Sequence, residues 1–286
     1  RAAAYYFSSE CEKDIQRLID GEYFIAPPNR ILLKKRYKSK FRTVYSYAER
    51  DRFILMLISH VLHDYDHIFP NCLYSFRRKR SGKQFITKIK QLKNRENMYV
   101  LKTDFSAFGE TINLDILYKK LEEIFSDDPG FLNFLHHFLY DPRYIRDGEL
   151  RDDERFLKAG SALTNFCENV YAMDIDRWMK SQARLYGRYG DDIVAFFDTR
   201  EDAERCFAEL TERIEALGLK FNKKKTGICE PGEEVEVLME ESVQVDGKTV
   251  QVGHTKEYVK IALEDDTNLQ NQLINVKINS NSQIIH

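Results

Sequence analysis

Asp191 and Asp192 are adjacent carboxylates. The apolar runs on either side of them, Leu185 to Tyr189 and Ile193 to Phe197, predict a β-hairpin with the pair at its tip. Like charges so placed repel, and each tends to take up a proton unless a cation offsets it, so the pairing points to a divalent metal site. A third carboxylate, Asp104, ends Tyr99-Val100-Leu101-Lys102-Thr103-Asp104-Phe105, which reads as a buried strand. Three carboxylates on neighbouring strand ends can hold two Mg2+ ions about 3.5–4 Å apart. That arrangement serves in-line phosphoryl transfer by activating the attacking oxygen and neutralising the leaving one. Gly-Asp-Asp is also ordinary turn chemistry, so Tyr189 to Asp192 alone leaves a plain hairpin open.

For the acids to meet, their strands must share a sheet. Helical stretches (Leu114 to Phe125 and about Leu163 to Met179) follow Asp104, then the hairpin, a second helix and the short strand Leu219-Lys220-Phe221-Asn222. This β-α-β-β-α-β order is the split βαβ layout, which sets the strands of Asp104 and Asp191 side by side. The helix after the hairpin has the clearest signals. Thr199 can cap it with Asp202 three residues on, Ala203, Cys206, Phe207, Leu210, Ile214 and Leu217 form one apolar stripe, and Gly218 ends it.

Charge adds an independent argument. The net charge is only −2 over 286 residues, which argues against a generic nucleic-acid-coating protein. Yet Arg30 to Arg95 holds 18 Lys and Arg against 4 Asp and Glu, net +14, while the remainder holds 26 against 42, net −16. The basic segment is suited to a polyanion, and phosphate contacts of this kind are sequence-independent and salt-sensitive. Tyr37, Phe41, Tyr45, Tyr74 and Phe76 are interleaved with it; such rings either stack on bases or fill a core, and core is the commoner role.

From about Asn29 to Ile228 the sequence resembles the reverse transcriptases, in particular bacterial ones related to group II intron and retron enzymes. Arg30 to Lys35 and Lys40-Phe41-Arg42-Thr43-Val44 are similar to the fingers strands whose Lys and Arg hold the incoming triphosphate. Ala48 to Arg52 with Phe53 to Leu62, then Leu73-Tyr74-Ser75-Phe76-Arg77, resemble the next blocks. Lys102 to Ser106 resembles the first metal motif, and Ala159-Gly160-Ser161-Ala162-Leu163-Thr164 to Asn169 the template and nucleotide helix. Tyr189 to Asp192 matches the double-Asp motif, and Gly218 to Thr226 the strand and lysine that follow.

The resemblance implies an α+β fold of right-hand polymerase fingers and palm, the palm built on a ferredoxin-like (split βαβ) antiparallel sheet. Residues 1–98 are expected as basic, mostly helical fingers with a β-hairpin. The palm is expected over 99–232, with 99–112 and 155–232 as its core and 126–154 as an insertion. A hairpin and tail with a short or absent thumb would occupy 233–286. Asp104, the Phe105 backbone carbonyl, Asp191 and Asp192 are the implied ligands of two Mg2+ ions, with Mn2+ as a substitute; Asp192 would be the weaker ligand or orient the others. Lys35 and Arg42 would neutralise the β and γ phosphates, with Lys34 the competing lysine. Phe108, Gly109, Ala159 and Gly160 complete the expected nucleotide site. Arg77, Arg78, Lys79, Arg80, Lys83 and Asn169 are assigned to nucleic acid. Lys225 occupies the place of a family lysine that donates a proton to departing pyrophosphate, although Lys223-Lys224-Lys225 also reads as a solvated turn or phosphate rail.

Some positions depart from the family. Bacterial relatives usually carry an aromatic five residues after the first catalytic Asp, where its ring excludes a 2′-hydroxyl; here that position is Gly109. Without a side chain it cannot clash with ribose, so weakened sugar discrimination is expected unless Phe108 or Glu110 takes the role. Lys158 and Ala159 replace the Pro-Gln of a Pro-Gln-Gly motif, and Val237-Leu238-Met239-Glu240 stands in place of the primer grip, so that function is not carried over. Ser242 to Val245 and Thr249 to Val252 predict a hairpin around Asp246-Gly247, followed by about thirty Asn-rich, weakly periodic residues. These are too few for a helical thumb, leaving either a truncated chain or a thumb replaced by RNA or another subunit.

Composition bounds the rest. A 43% hydrophobic content suffices for one large domain or two packed subdomains, no apolar run is long enough to span a membrane, and the polar N-terminus points to the cytosol. Five cysteines without a CxxC pair (Cys11, Cys72, Cys167, Cys206, Cys229) fit reduced buried thiols. His60, His63 and His67 lie at helical spacing but lack a zinc signature. Phe125 to Gly130 and Tyr140 to Asp153 read as loop-like, with solvated acid pairs at Asp127-Asp128 and Asp152-Asp153. The leading function is RNA-directed DNA polymerisation from an RNA template and primer with dNTPs. A related polymerase with NTP use, template-independent or protein-primed synthesis, as in phage defence, is the second. A non-catalytic RNA-binding scaffold is the third, although a scaffold has no need of mutually repelling acids.

Overall fold

A computed structural model describes residues 9–34, 41–152, 155–232, 234–245, 247–255, 260–277 and 282–285. Helix α1 (Ser9–Ile19) buries Asp14, which pairs with Arg50 of a later helix. Strands β1 (Asn29–Lys34) and β2 (Phe41–Ser46) form the expected antiparallel hairpin, Lys34 opposite Phe41. Helix α2 (Glu49–Val61) runs into a 3-10 turn over Leu62–Ile68, and α3 (Gly82–Gln91) starts from a Ser81/Gln84 capping box.

After β3 (Tyr99–Asp104) come the short α4 (Phe108–Thr111), α5 (Leu114–Ile124) and α6 (Pro129–Tyr140). The segments read as loop-like are thus partly structured. Asp128 accepts from Phe131 N at 2.9 Å and caps α6, whose Phe134, Leu135, Phe138 and Leu139 are buried. A hairpin of β4 (Arg143–Arg146) and β5 (Glu149–Asp152) then joins the first one, giving a sheet ordered β2-β1-β4-β5. Local alternation is hard to see in strands of four residues, and this pairing depends on a distant partner, Ile145 N to Pro28 O at 2.8 Å.

Helix α7 (Ala162–Gln182) carries buried residues on every side, among them Leu163, Cys167, Val170, Tyr171, Ile175 and Met179. It packs between α2, α5 and the strand β6 (Leu185–Tyr189). Its first three turns are buried almost all round, while Asp174, Arg177 and Lys180 face solvent further along, and α7 is the axis of the main core. Strand β7 (Asp192–Phe197) and helix α8 (Arg200–Ala216) follow; Thr199 caps α8 by accepting from Asp202 N at 3.1 Å.

The sheet that carries the acids has the order β6-β7-β3-β8, with all neighbours antiparallel. Its fourth strand is β8 (Gly227–Cys229), not the predicted Leu219 to Asn222. Leu219 is buried and its N–H is bonded to Ile214 O at 2.8 Å, so it closes α8 and is not free to pair; only Phe221 bridges, to Phe105. Ser242 to Val245 pairs antiparallel with Lys248 to Gln251, as the expected hairpin, but the weakly periodic residues after it are ordered differently from expectation. Strands β9 (Glu234–Val245), β10 (Lys248–Thr255), β11 (Lys260–Glu264), β12 (Leu273–Lys277) and β13 (Ser282–Ile285) form a five-stranded sheet ordered β12-β9-β10-β11-β13. Among the described residues, no helix is long and apolar enough to cross a membrane.

Candidate active site

Asp104, the last residue of β3, is the direct cross-strand partner of Asp192, the first residue of β7. Side chains so opposed start from Cβ atoms about 4.5–5.5 Å apart. Tyr189 and Asp192 close the β6–β7 hairpin, leaving Gly190 and Asp191 as its two-residue turn. Gly190 takes φ +64°, a conformation that favours glycine, which explains its place in the motif. Phe105 N donates to Asp191 O at 3.2 Å, so the turn is tied to the chain just beyond Asp104. Asp104 is buried at 4% exposure while Asp191 and Asp192 are exposed, so the three acids share one sheet end that opens to solvent.

The Lys220 to Thr226 loop wraps Asp104. Lys225 Nζ donates to Asp104 Oδ2 at 2.5 Å, and Asn222 Nδ2 donates to Oδ1 at 3.2 Å. The backbone bonds of the Phe105–Phe221 bridge run from Ser106 N to Lys220 O and from Asn222 N to Asp104 O, both 2.8 Å, and neither uses the Phe105 carbonyl. The hydrogen bond to Asp104 raises the Lys225 ammonium pKa above the ordinary lysine value, against the effect of burial. Desolvation raises the Asp192 carboxyl, and the charges of Asp191 and Asp104 add to it.

The donor set, carboxylates plus carbonyl, suits a hard divalent cation such as Mg2+, and the crowded charge is what such an ion would relieve. Among the described residues no three of these side chains form a ready-made cage, and Asp104 gives its oxygens to Lys225 and Asn222. Asp104, Asp191, Asp192 and the Phe105 carbonyl would hold the ions once Lys225 withdraws.

An unforeseen ion pair fixes the turn. Arg188 and Asp176 are both fully buried and joined by two bonds of 2.8 Å, Nε to Oδ1 and Nη2 to Oδ2. Tyr186 donates to Asp176 Oδ1 at 2.6 Å, and Arg188 Nη1 donates to Gly190 O at 2.8 Å. Helix α7 thereby holds the carbonyl next to Asp191. An arginine inside the apolar run Leu185 to Tyr189, and an aspartate among the buried positions of α7, were the signals in the sequence.

A cavity of about 300 Å³ opens beside the acids, lined in part by Arg42, Phe108, Gly109, Ala159, Glu168 and Asp191. Arg42 is exposed there, and Lys34 is exposed at the end of β1, whereas Lys35 lies outside the described residues. Phe108 is mostly buried, its ring 4.8 Å from that of Phe105. Gly160 has φ +132°, and an added Cβ would lie 2.2 Å from Tyr45 O; it lets the hairpin dock, with Tyr45 N donating to Ala159 O at 2.8 Å. Glu168 was not foreseen. Burial raises its carboxyl to about 7, with Asp191 adding to the shift and Arg188 opposing it.

The other expected contacts divide. Arg78, Lys79 and Lys83 are exposed, and Arg80 is partly so. Arg78 and Arg80 line a second cavity of about 470 Å³ with Phe76 and Tyr189, whose rings are 6.4 Å apart. Arg77 and Asn169 are committed inward instead. Arg77 holds Asp66 through bonds of 2.7 and 2.8 Å and donates to the Pro70 carbonyl at 2.7 Å; Asn169 is 1% exposed and donates to Ser75 O at 3.1 Å. A buried guanidinium needs such partners, so the basic run could not lie wholly on the surface. Four cysteines are buried as expected, but Cys229 is exposed, since β8 is a sheet edge.

Residues 32–250 match the reverse transcriptase (RNA-dependent DNA polymerase) family. The chain belongs to that family. No curated protein matches this reverse transcriptase chain by sequence. Among solved structures, its fold is similar to apo telomerase from Candida tropicalis truncated from the C-terminal domain, at TM-score 0.54 and 13% identity over 85% of this chain and 58% of that one. A second apo telomerase structure from Candida tropicalis gives 0.56 and 12% over 85% and 51%. At these identities the likeness is one of fold, and the chain spans between half and three-fifths of the length of those telomerases. By family, the domain is a nucleotidyltransferase of the RNA-directed DNA polymerase type.

Proposed function

We propose that this protein extends a primer 3′-hydroxyl with nucleoside triphosphates on an RNA template, as an RNA-directed DNA polymerase. The carrying observation is the pairing of Asp104 with Asp192, with Asp191 in the adjoining turn and lining a cavity that Arg42 also lines. Two divalent cations, Mg2+ or Mn2+, would activate the 3′-oxygen and neutralise the departing pyrophosphate. Asp104 and Asp191 would bind both, with Asp192 and the Phe105 carbonyl completing the set. Arg42, with Lys34 or Lys35, would hold the β and γ phosphates. Phe108, Gly109, Ala159 and Gly160 would shape the pocket around sugar and base. The role of Lys225 as proton donor to pyrophosphate requires that it first leave Asp104.

Arg78, Lys79, Arg80 and Lys83 would track the nucleic-acid backbone, and the exposed Phe76 and Tyr189 rings could stack on bases in the second cavity. In this reading residues 1–98 are fingers and 99–232 a split-βαβ palm, and the motif order fits the bacterial group II intron and retron branch. The C-terminal five-stranded sheet would follow the palm directly.

Gly109 favours a second reading, a polymerase of the same fold that accepts ribonucleotides or works without a template or from a protein primer, as in phage defence. One experiment tests both. The protein and its Asp191→Asn variant are incubated with Mg2+ and either dNTPs or NTPs, with and without a primed RNA template. Template-dependent DNA lost in the variant is the expected result, and product without template would support the second reading. RNA binding with no product in any lane would leave only a scaffold.

A further inference from the structure

Phe76 is a wall shared by two cavities. It lines the one of about 300 Å³ that includes Arg42 and Asp191, and the one of about 470 Å³ that includes Arg78, Arg80 and Tyr189. Its backbone stands at φ +53°, in the left-handed region, which a bulky residue adopts only when its surroundings force it. Both neighbours are fixed. Ser75 O accepts from Asn169 Nδ2 at 3.1 Å, and Arg77 is clamped to Asp66 by bonds of 2.7 and 2.8 Å. Between these two anchors the Phe76 ring is held out, 47% exposed. The larger cavity has the chemistry of a base site. Tyr189 lines it with a half-exposed ring and is the cross-strand partner of Asp192, so the cavity reaches the hairpin that carries the acids. Tyr74 lines it too, at 1% exposure, and its hydroxyl is one of two buried polar side-chain atoms among the described residues that have no hydrogen-bond partner. An unpaired buried hydroxyl costs free energy that a ligand bonded to it restores. The volume lies within the range of pockets that enclose a small-molecule group, about 300–1,000 Å³.

We infer that Phe76 is a wedge in the template path: the base that pairs with the incoming nucleotide stays beside the smaller cavity, and the next template base, still unpaired, is turned into the larger one. There it rests on the Phe76 and Tyr189 rings and bonds through its edge to the Tyr74 hydroxyl, while Arg78 and Arg80 hold the phosphates beside it. The inference rests on the smaller cavity being the nucleotide site of the proposed polymerase. Single-stranded RNA is commonly bound with its bases splayed out, on aromatic planes and with hydrogen bonds to their edges. Stacking accepts any base, as a template of arbitrary sequence requires. The Tyr74 hydroxyl both donates and accepts, so it also suits all four bases. A wedge at this place stops the next base from stacking on the templating one. One base at a time is then presented to the nucleotide.

The test is equilibrium binding of a primed RNA template, held with Ca2+ and the complementary dNTP, in which a single abasic site is walked along the unpaired template. The wild type is compared with Tyr74→Phe and Phe76→Gly. Tyr74→Phe removes only an unpaired oxygen and glycine suits the left-handed backbone, so neither change should disturb the fold, which melting curves verify. In the wild type, an abasic site one step beyond the templating base should weaken binding about 5- to 150-fold, the worth of one stacked base, and abasic sites elsewhere should cost less. Tyr74→Phe should weaken binding of the intact template about 2- to 10-fold, the size of one neutral hydrogen bond, and Phe76→Gly more. Neither substitution should matter once the base at that step is missing, a coupling that a merely structural role would not produce. A penalty that falls at another template position, or that persists undiminished in either variant, overturns this inference alone. A wild type that extends no primer with Mg2+ overturns the polymerase reading and this inference with it.

Discussion

Lys225 is anchored to Asp104 at 2.5 Å, so the most buried of the three acids already carries a positive partner from its own chain. The lysine is half exposed, with room to swing away, whereas Asp104 is fixed at a strand end between Thr103 and the Phe105 bridge. The ammonium and a divalent cation therefore compete for the same oxygens.

Replacing Lys225 by Met removes that competitor. An ion pair with an exposed partner is worth about 0.2–1 kcal/mol, so the Mg2+ concentration giving half-maximal thermal stabilisation should fall by about 2- to 5-fold. Turnover should fall at the same time if the lysine also serves the leaving group. A rise in the Mg2+ requirement would show that Lys225 organises the ligands and does not compete with the ion.

The Asp176–Arg188 pair makes a different prediction. Asp176→Asn leaves the buried guanidinium without its counter-charge, and the expected loss is about 3–5 kcal/mol in denaturant unfolding. The double variant Asp176→Leu with Arg188→Met removes both charges and should recover most of that stability. It should not recover turnover, because the bond from Arg188 to Gly190 O that steadies the turn of Asp191 is gone. Full activity in the stable double variant would mean that the turn holds itself.

How much of this was legible in the sequence depends on where the partner of each residue lies. Thr199 and its helix, and the hairpin around Gly190, depend on neighbours within a few positions, and both formed where the residues place them. The meeting of Asp104 with Asp192 was legible from element order alone. Arg188, Glu168 and Arg77 were not, because each is defined by a partner or cavity wall supplied by a distant segment, and a charged residue in an apolar run does not name its counter-ion. Apart from the hairpin of Ser242 to Val245 with Thr249 to Val252, the C-terminal strands were missed for a related reason. Their register is set by cross-strand pairs such as Leu273 with Leu238, 35 positions apart in the numbering of that ladder, and no local period announces it.

Glu168 offers a pH signature in the folded protein alone. Its carboxyl is raised from the ordinary 4.5 to about 7, so the fold binds this proton more tightly than the unfolded chain does. That stabilisation is fully present below about pH 4.5 and is lost as pH rises through 7. Glu168→Gln, which cannot ionise, should therefore stabilise the protein by roughly 2–3 kcal/mol more at pH 8 than at pH 5. Chemical unfolding in EDTA at the two pH values measures it, and a pH-independent effect would show that the carboxyl titrates normally.

The basic run after Phe76 contains neighbours with opposite expected behaviour. Arg77 is locked to Asp66, whose carboxyl it lowers, so Arg77→Ala should lower the melting temperature at neutral pH. Below the depressed pKa of Asp66 the partner is neutral and the difference should narrow, since the contribution of a lowered carboxyl is lost as pH falls through its folded value. Arg78 and Lys79 are exposed, and removing both should leave the melting temperature unchanged. Their loss should instead flatten the dependence of log affinity for single-stranded RNA on log salt by about 1.4, roughly 0.7 for each phosphate contact. A pair whose removal leaves that slope intact lies off the path of the strand, and the second cavity would then need another occupant.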